Sequence, residues 1–419
     1  MYSLNRNNNN KQIKILYIQV PPAGGSLIAL YEMVNHLNRE LIEPVILCYY
    51  KNKFSTRLEA IEGCRVTYLF ENLESPVINS SSDKSYNSII NYLNLQLAAI
   101  KKILFSDKTE VRKLYNIITK EKPDIIHHNN DILLNRNCVR AANKTNIAQI
   151  IHNRSLAGYG NNSVNFFLDR LLIKKINFHI NITQAVSNHF NTLFRMPGCN
   201  SVVMHDIIDI NRYKPAEPDI ALKNELGIKD TEHIITCIGR LTKWKGQHVL
   251  IEAVNLLRSQ FPEIKVLLVG PDDEGAGSRS YADKLRQMIA DCRLEDIIIL
   301  TGNRTDIPEI INISDIIVHT SIKPEPQGLV IVEALLCRKK IIAANTFGSG
   351  ELINKYGGIP LKPVNAETLA SLLLQEIRNK EVKNSCDNEI TYKRLRKDFD
   401  PRQQMESIIR VYKKILNNV

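Results

Sequence analysis

IIVHTSIKPEPQGLVIVEALLCRKKIIA, residues 316–343, reads as a strand, a proline-bearing loop, a helix and a second strand. Ile316–His319 is a short apolar run of the kind a sheet buries on both faces. Pro324 and Pro326 hold the following loop extended, because proline fixes its own φ and pushes the preceding residue out of the helical region. Gly328 then opens a helix predicted to reach Leu336, and Lys340–Ala343 is the next apolar strand. Strand, helix, strand at this spacing is a right-handed crossover between parallel strands.

The same alternation extends in both directions. Ile234–Ile238, Lys265–Val269 and Ile297–Leu300 are further strands of the second half. Helices fall at about Gly246–Arg258, Ser280–Asp291, Ile307–Ile313 and Ala366–Arg378. In the first half, Ile13–Val20, Val45–Tyr49, Val66–Leu69, Asp124–His127, Ile147–His152 and Ile180–Val186 read as strands. Helices are expected at about Leu27–Leu37 and, with an interruption near Ser106–Asp107, over Ser85–Lys120. Asp209–Pro215 is polar, carries a proline and separates the two series. The expected fold is α/β, with two Rossmann-like domains facing each other across a cleft. The first domain would span residues 1–208 and the second 209–400, with the helical segment 401–419 packing back on the first domain.

Composition is that of a globular chain: 419 residues, 44% hydrophobic and 24% charged. No apolar run approaches the roughly 18–20 residues needed to cross a bilayer. The start, MYSLNRNNNNKQ, lacks the apolar core of a signal peptide, so a cytoplasmic location is expected. The eight cysteines are scattered with no CxxC pair, which reads as reduced core residues, neither a disulfide frame nor a zinc site. Charge is uneven. Residues 1–200 carry 24 Lys+Arg against 14 Asp+Glu, and residues 201–419 carry 31 against 30. A basic first half favours phosphates or an anionic membrane surface. Without a recognition motif, nucleic acid is not expected as a partner.

Two segments carry the chemistry. In Glu325–Glu333 the free backbone N–H groups of Gly328, Leu329 and Val330 sit at a helix start, where the dipole favours phosphate. Glu333 lies roughly 7–8 Å further along the helix, placed for ribose hydroxyls. Glu325 precedes the helix and would face whatever extends beyond the phosphates. In Gly239-Arg-Leu-Thr-Lys-Trp-Lys-Gly246, Gly239 turns the chain out of a strand. Arg240 and Lys245 are then placed to neutralise a diphosphate leaving group. In the first half, Gly24 and Gly25 form a loop able to approach a phosphate or sugar, and His152 ends a strand at the expected cleft mouth. His127 and His128 point to opposite faces of their strand, which argues against a metal site.

GRLTKWKG, LVGPDDEG, LTGNRTDIPEIINISDIIVHTS and EPQGLVIVEAL occur in an order that resembles glycosyltransferase family 4, retaining enzymes of the GT-B fold. The resemblance covers about Asp209–Glu351 and is weaker in the first half. It implies a nucleotide-sugar co-substrate and a carbohydrate or lipid-linked acceptor, with Arg240 and Lys245 on the diphosphate, Glu325 on the sugar hydroxyls and Glu333 on the ribose. Gly239 and Gly302 fall in the matching donor segments. It further implies retention of configuration, with residues 1–208 binding the acceptor and 209–400 the nucleotide-sugar; surface polysaccharide or glycolipid synthesis and a peripheral position at the inner membrane face are the accompanying expectations. No cofactor or metal is expected, because no Asp-x-Asp stands at a strand end and the cations and helix tip offset the diphosphate charge. Gln327 stands where the family has an aromatic residue, and Gly348-Ser-Gly350 precedes Glu351 where it has a Gly-Gly pair. A nucleotide-sugar epimerase of similar fold and a non-catalytic nucleotide-sugar binding protein are the alternative readings.

Overall fold

The computed structural model describes residues 12–20, 25–51, 55–70, 107–156, 158, 163–196, 198–272, 280–378 and 388–417. The first sheet contains β1 (Ile13–Gln19), β2 (Ile42–Tyr50), β3 (Arg65–Phe70), β4 (Ile125–His128), β5 (Ala148–Asn153), β6 (Phe178–Asn181) and β7 (Ser201–Val203). Their order across the sheet is β3-β2-β1-β4-β5-β6-β7. The second contains β8 (His233–Ile238), β9 (Ile264–Val269), β10 (Ile298–Gly302), β11 (Ile316–His319), β12 (Lys340–Ala344) and β13 (Ile359–Leu361). Its order is β10-β9-β8-β11-β12-β13, and the pairings in both sheets are parallel. In each sheet the winding reverses beside the first strand, between β1 and β4 or between β8 and β11. Those are the switch points where open parallel sheets bind ligands at their carboxyl ends.

Burial follows the apolar runs. Ile316, Ile317 and Val318 pair with Ile235, Thr236 and Cys237 and are buried on both faces. Ile207 packs in the core of the first sheet, whereas the next residue, Ile208, packs with Ile317 and Leu335 in the second. The helix Pro401–Leu416 starts on Asp400 as N-cap with proline in its first turn, as capping preferences favour. Its Met405, Ile408, Val411, Tyr412 and Ile415, spaced by three or four residues, join Ile15, Tyr17 and Ile150 in the first core. The Tyr17 and Tyr412 hydroxyls meet at 2.9 Å.

Three corrections apply to the sequence reading. Ile180–Val186 is not one strand: β6 ends at Asn181, and the Thr183 hydroxyl accepts from Val186 N to cap the helix Gln184–Phe194. A capping threonine outweighs the apolar run. The three-residue strands β7 and β13 were not assigned, being too short to show a pattern. The helices Ile132–Ala142, Phe347–Tyr356 and Glu389–Asp398 were also missed, although Asp131 and Asn388 cap two of them. Of the zone Ser85–Lys120, the helix Asp107–Glu121 is seen and residues 85–106 lie outside the described residues. The seven described cysteines are free, and no described helix is long and apolar enough to cross a membrane.

Candidate active site

The loop after β8 is pinned from three sides. Gly239 N donates to Val269 O of β9 and Leu241 N to Pro271 O. Lys243–Lys245 forms a single 3-10 turn that ends at Gly246, whose φ is 72°. Any side chain at Gly246 would collide with the Thr320 carbonyl after β11, so only glycine permits this approach. Thr320 Oγ1 donates to Lys245 O at 3.0 Å, and Ile322 N to Trp244 O at 2.9 Å. Gln247, fully buried, donates to Arg240 O at 2.9 Å. The two loops of the switch point are thus one body, with the exposed Arg240 on its outer side.

This body brings Lys245 and Glu325 together. Lys245 Nζ lies 2.7 Å from Glu325 Oε2, and the same oxygen accepts from Ser321 Oγ at 3.1 Å. His319 Nε2 is 3.1 Å from Ser321 Oγ and 3.5 Å from that oxygen. Burial alone would push the Glu325 carboxyl up, but Lys245 and His319 outweigh it and hold the group at about 2. Glu325 is therefore a fixed carboxylate. The sequence reading separated Lys245 on the phosphates from Glu325 on the sugar; the structure makes them one ion pair. His319 and Ser321 were missed, yet residues two apart at a strand end share a face, and that spacing was readable.

Gly328, at φ 86°, caps the helix Leu329–Leu336, so the N–H groups of Leu329 and Val330 lie in its first turn. Glu333 is one turn in and hydrogen-bonds the hydroxyl of Tyr213, from the segment between the lobes. Burial pushes the Glu333 carboxyl up to about 7, against the pull of Tyr213, Arg212 and Lys245. Gly302 ends β10 at φ 72°, and its carbonyl accepts from Gly270 N at 2.9 Å.

At the other switch point the arrangement is sealed. His152, the penultimate residue of β5, is 2% exposed. Its Nδ1 accepts from Arg154 Nη2 at 3.1 Å. Burial, then Arg154 and His127, push the ring well below the usual histidine range, so His152 is neutral. Arg154 also donates through Nε to Asn129 Oδ1 at 2.9 Å and forms an ion pair with Asp206. His127 meets the Tyr412 hydroxyl at 2.8 Å and His128 meets Gln149 at 3.0 Å. Among the described residues no group of three or more metal-ligating side chains occurs. Gly25 is the exposed first residue of the helix Gly25–Asn35, and Gly24 lies outside the described residues. Sequence reasoning missed Arg154, which stands two residues after His152 at the end of β5, and Asp206, which carries no local signal.

The lobes meet beside the Glu325 loop. Thr183 Oγ1 donates to Pro326 O at 2.8 Å, and Asp206 N to Gln327 Oε1 at 3.3 Å. Glu351 accepts from Gln184 N at 3.2 Å and Ala185 N at 3.0 Å, so a second-lobe carboxylate caps a first-lobe helix. Residues 219–393 match the family described as Glycosyl transferases group 1. The match covers less than half of the chain. The matched stretch contains Arg240, Lys245, Gly302, Glu325, Gly328 and Glu333.

A relative in Corynebacterium glutamicum, the GDP-mannose-dependent monoacylated alpha-(1-6)-phosphatidylinositol monomannoside mannosyltransferase, is 26% identical over 217 residues. That match covers 49% of the chain and 55% of the relative, so the chain spans little more than half of that enzyme's length. The Escherichia coli UDP-Gal:alpha-D-GlcNAc-diphosphoundecaprenol alpha-1,3-galactosyltransferase is 25% identical over 303 residues, 68% of the chain and 76% of that enzyme. Among solved structures, Anabaena HepE in complex with UDP and glucose superposes with a TM-score of 0.75 at 23% identity, covering 96% of the chain and all of HepE. The fold is accordingly of GT-B type.

Proposed function

We propose that the protein is a retaining glycosyltransferase that moves a hexosyl group from a nucleoside diphosphate sugar to a hydroxyl acceptor in surface polysaccharide or glycolipid synthesis. The observation that carries this reading is the Lys245–Glu325 pair, fixed at a switch point three residues before the helix tip at Gly328. The bond from the anomeric carbon to the diphosphate breaks as the acceptor oxygen bonds to that carbon on the same face. The acceptor proton passes to a leaving phosphate oxygen. Arg240, Lys245 and the N–H groups of Leu329 and Val330 meet the growing charge. Glu325, already bound by Lys245 and Ser321, orients sugar hydroxyls and is not a free nucleophile. Glu333 binds the ribose.

The cations and the helix tip make a metal ion unnecessary in this scheme. A thermal-shift screen of UDP, GDP and their sugars identifies the donor, since a ligand of the native state raises the melting temperature. Turnover with the donor so found should survive EDTA. Loss of activity restored by magnesium or manganese would refute the metal-free scheme.

The acceptor-side proposal is a lipid-linked acceptor reached from an anionic membrane surface, with the protein in the cytoplasm at the inner face. The helix Ser163–Leu172 supports it. Its Asp169 points inward to Arg136 and Phe166 stacks on Phe194 at 5.9 Å, while Phe167 and Leu171 are 65% and 50% exposed. Lys174 and Lys175 stand exposed directly after them.

A further inference from the structure

The run Gly348-Ser-Gly350-Glu351 has no part in the scheme above. It lies at the start of the helix Phe347–Tyr356, which follows β12. Gly348 N donates to Glu325 O at 2.9 Å, and any side chain at Gly348 would collide with the Pro326 carbonyl. Ser349 is fully buried, with its hydroxyl 2.7 Å from Ala344 O. A side chain at Gly350 would collide with the Asn345 amide oxygen. The start of this helix and the loop that carries Glu325 are therefore one unit, and Glu351 extends from it to the first lobe.

On the first-lobe side, the N–H groups of Gln184, Ala185 and Val186 open the helix Gln184–Phe194 and have no acceptor within it. At other helix starts the preceding residue supplies the acceptor: Asp131 for Leu133 N and Leu134 N, and Asp400 for Arg402 N. Here Thr183 supplies it for Val186 N, at 3.2 Å. Gln184 N and Ala185 N donate instead to the two carboxylate oxygens of Glu351, at 3.2 and 3.0 Å, from 167 and 166 residues away along the chain. The Thr183 hydroxyl uses its own proton on Pro326 O at 2.8 Å. The Phe347 ring meets His189 of the same helix, with centroids 6.5 Å apart. A carboxylate across a helix start gains from charge-assisted bonds and from the dipole. Protein groups complete the first turn of this helix only when the lobes stand as they do in this structure.

We infer that Glu351 is a positioning residue that docks the Glu325 loop onto the first turn of the helix Gln184–Phe194, and so sets the acceptor lobe against the carboxylate that orients the sugar. The inference rests on the glycosyltransferase reading for what is positioned; the dock itself does not. The groups assigned to the diphosphate and the ribose, Arg240, Lys245, Leu329, Val330 and Glu333, all lie in the second lobe, so the dock acts on transfer and not on nucleotide binding. Glu351 is half-buried and Gln184 exposed. Parting the lobes returns their polar groups to water at small cost, and the dock is reversible, as substrate entry and product release require.

Hydrogen exchange followed by mass spectrometry on the full, nucleotide-free chain tests the dock directly. Glu351→Gln keeps the shape of the side chain but sets an amide donor against one of the two N–H groups. Peptides covering Gln184–Val186 should then exchange about tenfold faster than in the wild type, with peptides of β1 and β8 unchanged. Unchanged exchange at the helix start overturns the inference, and so does faster exchange throughout the chain. Glu351→Asp keeps the charge and shortens the reach; full protection in that variant would assign the effect to charge near the helix start and also overturn it. Turnover of UDP-glucose or GDP-mannose, whichever the wild type uses, should fall about tenfold in kcat in Glu351→Gln, while the affinity for UDP or GDP changes less than about twofold. An equal loss of nucleotide affinity, or an unchanged kcat, overturns the positioning role. Should Glu351→Gln fail to fold, Gln184→Pro removes one donor from the other side of the dock, at a helix position that accepts proline, and carries the same expectation for kcat and affinity. The exchange measurement needs no donor. A wild type that turns over neither sugar nucleotide would therefore count against the glycosyltransferase reading and not against the dock.

Discussion

At the carboxyl end of the second sheet, Lys245, Ser321 and His319 converge on one oxygen of a buried carboxylate, Glu325. At the carboxyl end of the first, Asn129, His152 and Asp206 surround a buried guanidinium, Arg154. The two switch points share their topology and invert their chemistry. The difference teaches where charge is handled. In the second sheet the paired charges stand beside the exposed Arg240 and an open helix N-terminus, so a diphosphate can join the cluster. In the first sheet the charge is buried and paired with Asp206. A site that meets a leaving group needs the former.

The largest expected effect is on the charged side of this comparison. Lys245→Ala removes a cation from the leaving group and leaves Glu325 buried without its main partner. Turnover should fall on the order of 10²-fold or more, as loss of a preorganised stabiliser does. Arg240→Ala should act in the same direction by a smaller factor, since Arg240 is exposed and its charge is screened. His152→Ala should cost less than Lys245→Ala. Equal losses from the two, measured as kcat in folded protein, would break the division of labour between the sheets.

A tenfold effect is expected at Glu333. Its carboxyl sits at about 7 in the folded chain, against a usual value of 4.5. Below that pH it is protonated and cannot accept two ribose hydrogen bonds. Nucleotide affinity should therefore tighten by about tenfold between pH 6 and pH 8, and Glu333→Gln should flatten that dependence, one proton shifting binding by up to 1.36 kcal/mol per pH unit. Stability moves the other way. A raised acid binds more protons folded than unfolded, so its contribution falls as pH rises from about 4.5 to about 7. Glu325, held at about 2, contributes stability that is present above 4.5 and lost as the pH falls toward 2. Calorimetric melts of Glu333→Gln and wild type across pH 5 to 8 check the first of these signs.

Legibility in the sequence divides along the same line. The strands β8 to β12 were readable because each is a compact, mostly apolar run between polar or turn-forming residues, and β11 falls at the residues expected, whereas the three-residue β13 shows no such run. Glu325, Glu333, Arg240 and Lys245 were singled out because their loops leave strand ends. The Lys245–Glu325 contact was not, since 80 residues separate them and only sheet order makes them neighbours. Arg154 and Asp206 were not singled out, because the partners that define them lie just after β4, on β5 and on the segment between the lobes. Val186 was misread because an apolar residue in a first helical turn resembles the continuation of a strand, and Thr183 was not weighed as a cap.

The smallest expected effect belongs to the outer face of the first lobe. Residues 101–200 carry 15 Lys+Arg against 6 Asp+Glu. The stretch Ile100–Phe105, an apolar and basic run of the same kind, lies outside the described residues. The helix Ser163–Leu172 can be judged directly. Phe166 and Asp169 hold it to the lobe, so its inward face is accounted for, yet Phe167 and Leu171, one turn apart, face outward next to Lys174 and Lys175. A surface of that kind gains from apolar insertion and, near an anionic bilayer, roughly 1 kcal/mol per basic residue. Co-sedimentation with phosphatidylglycerol-containing vesicles should increase with anionic content and fall with salt, because screening shortens the reach of the charges. Phe167→Ser/Leu171→Ser should lower the bound fraction several-fold while leaving transfer to a soluble acceptor analogue unchanged, since neither side chain reaches the cleft groups described above. Binding that persists in the double variant would assign the attraction to charge alone. A protein that stays in the supernatant with anionic vesicles at low salt would leave the basic lobe as a solvated surface and favour a soluble acceptor.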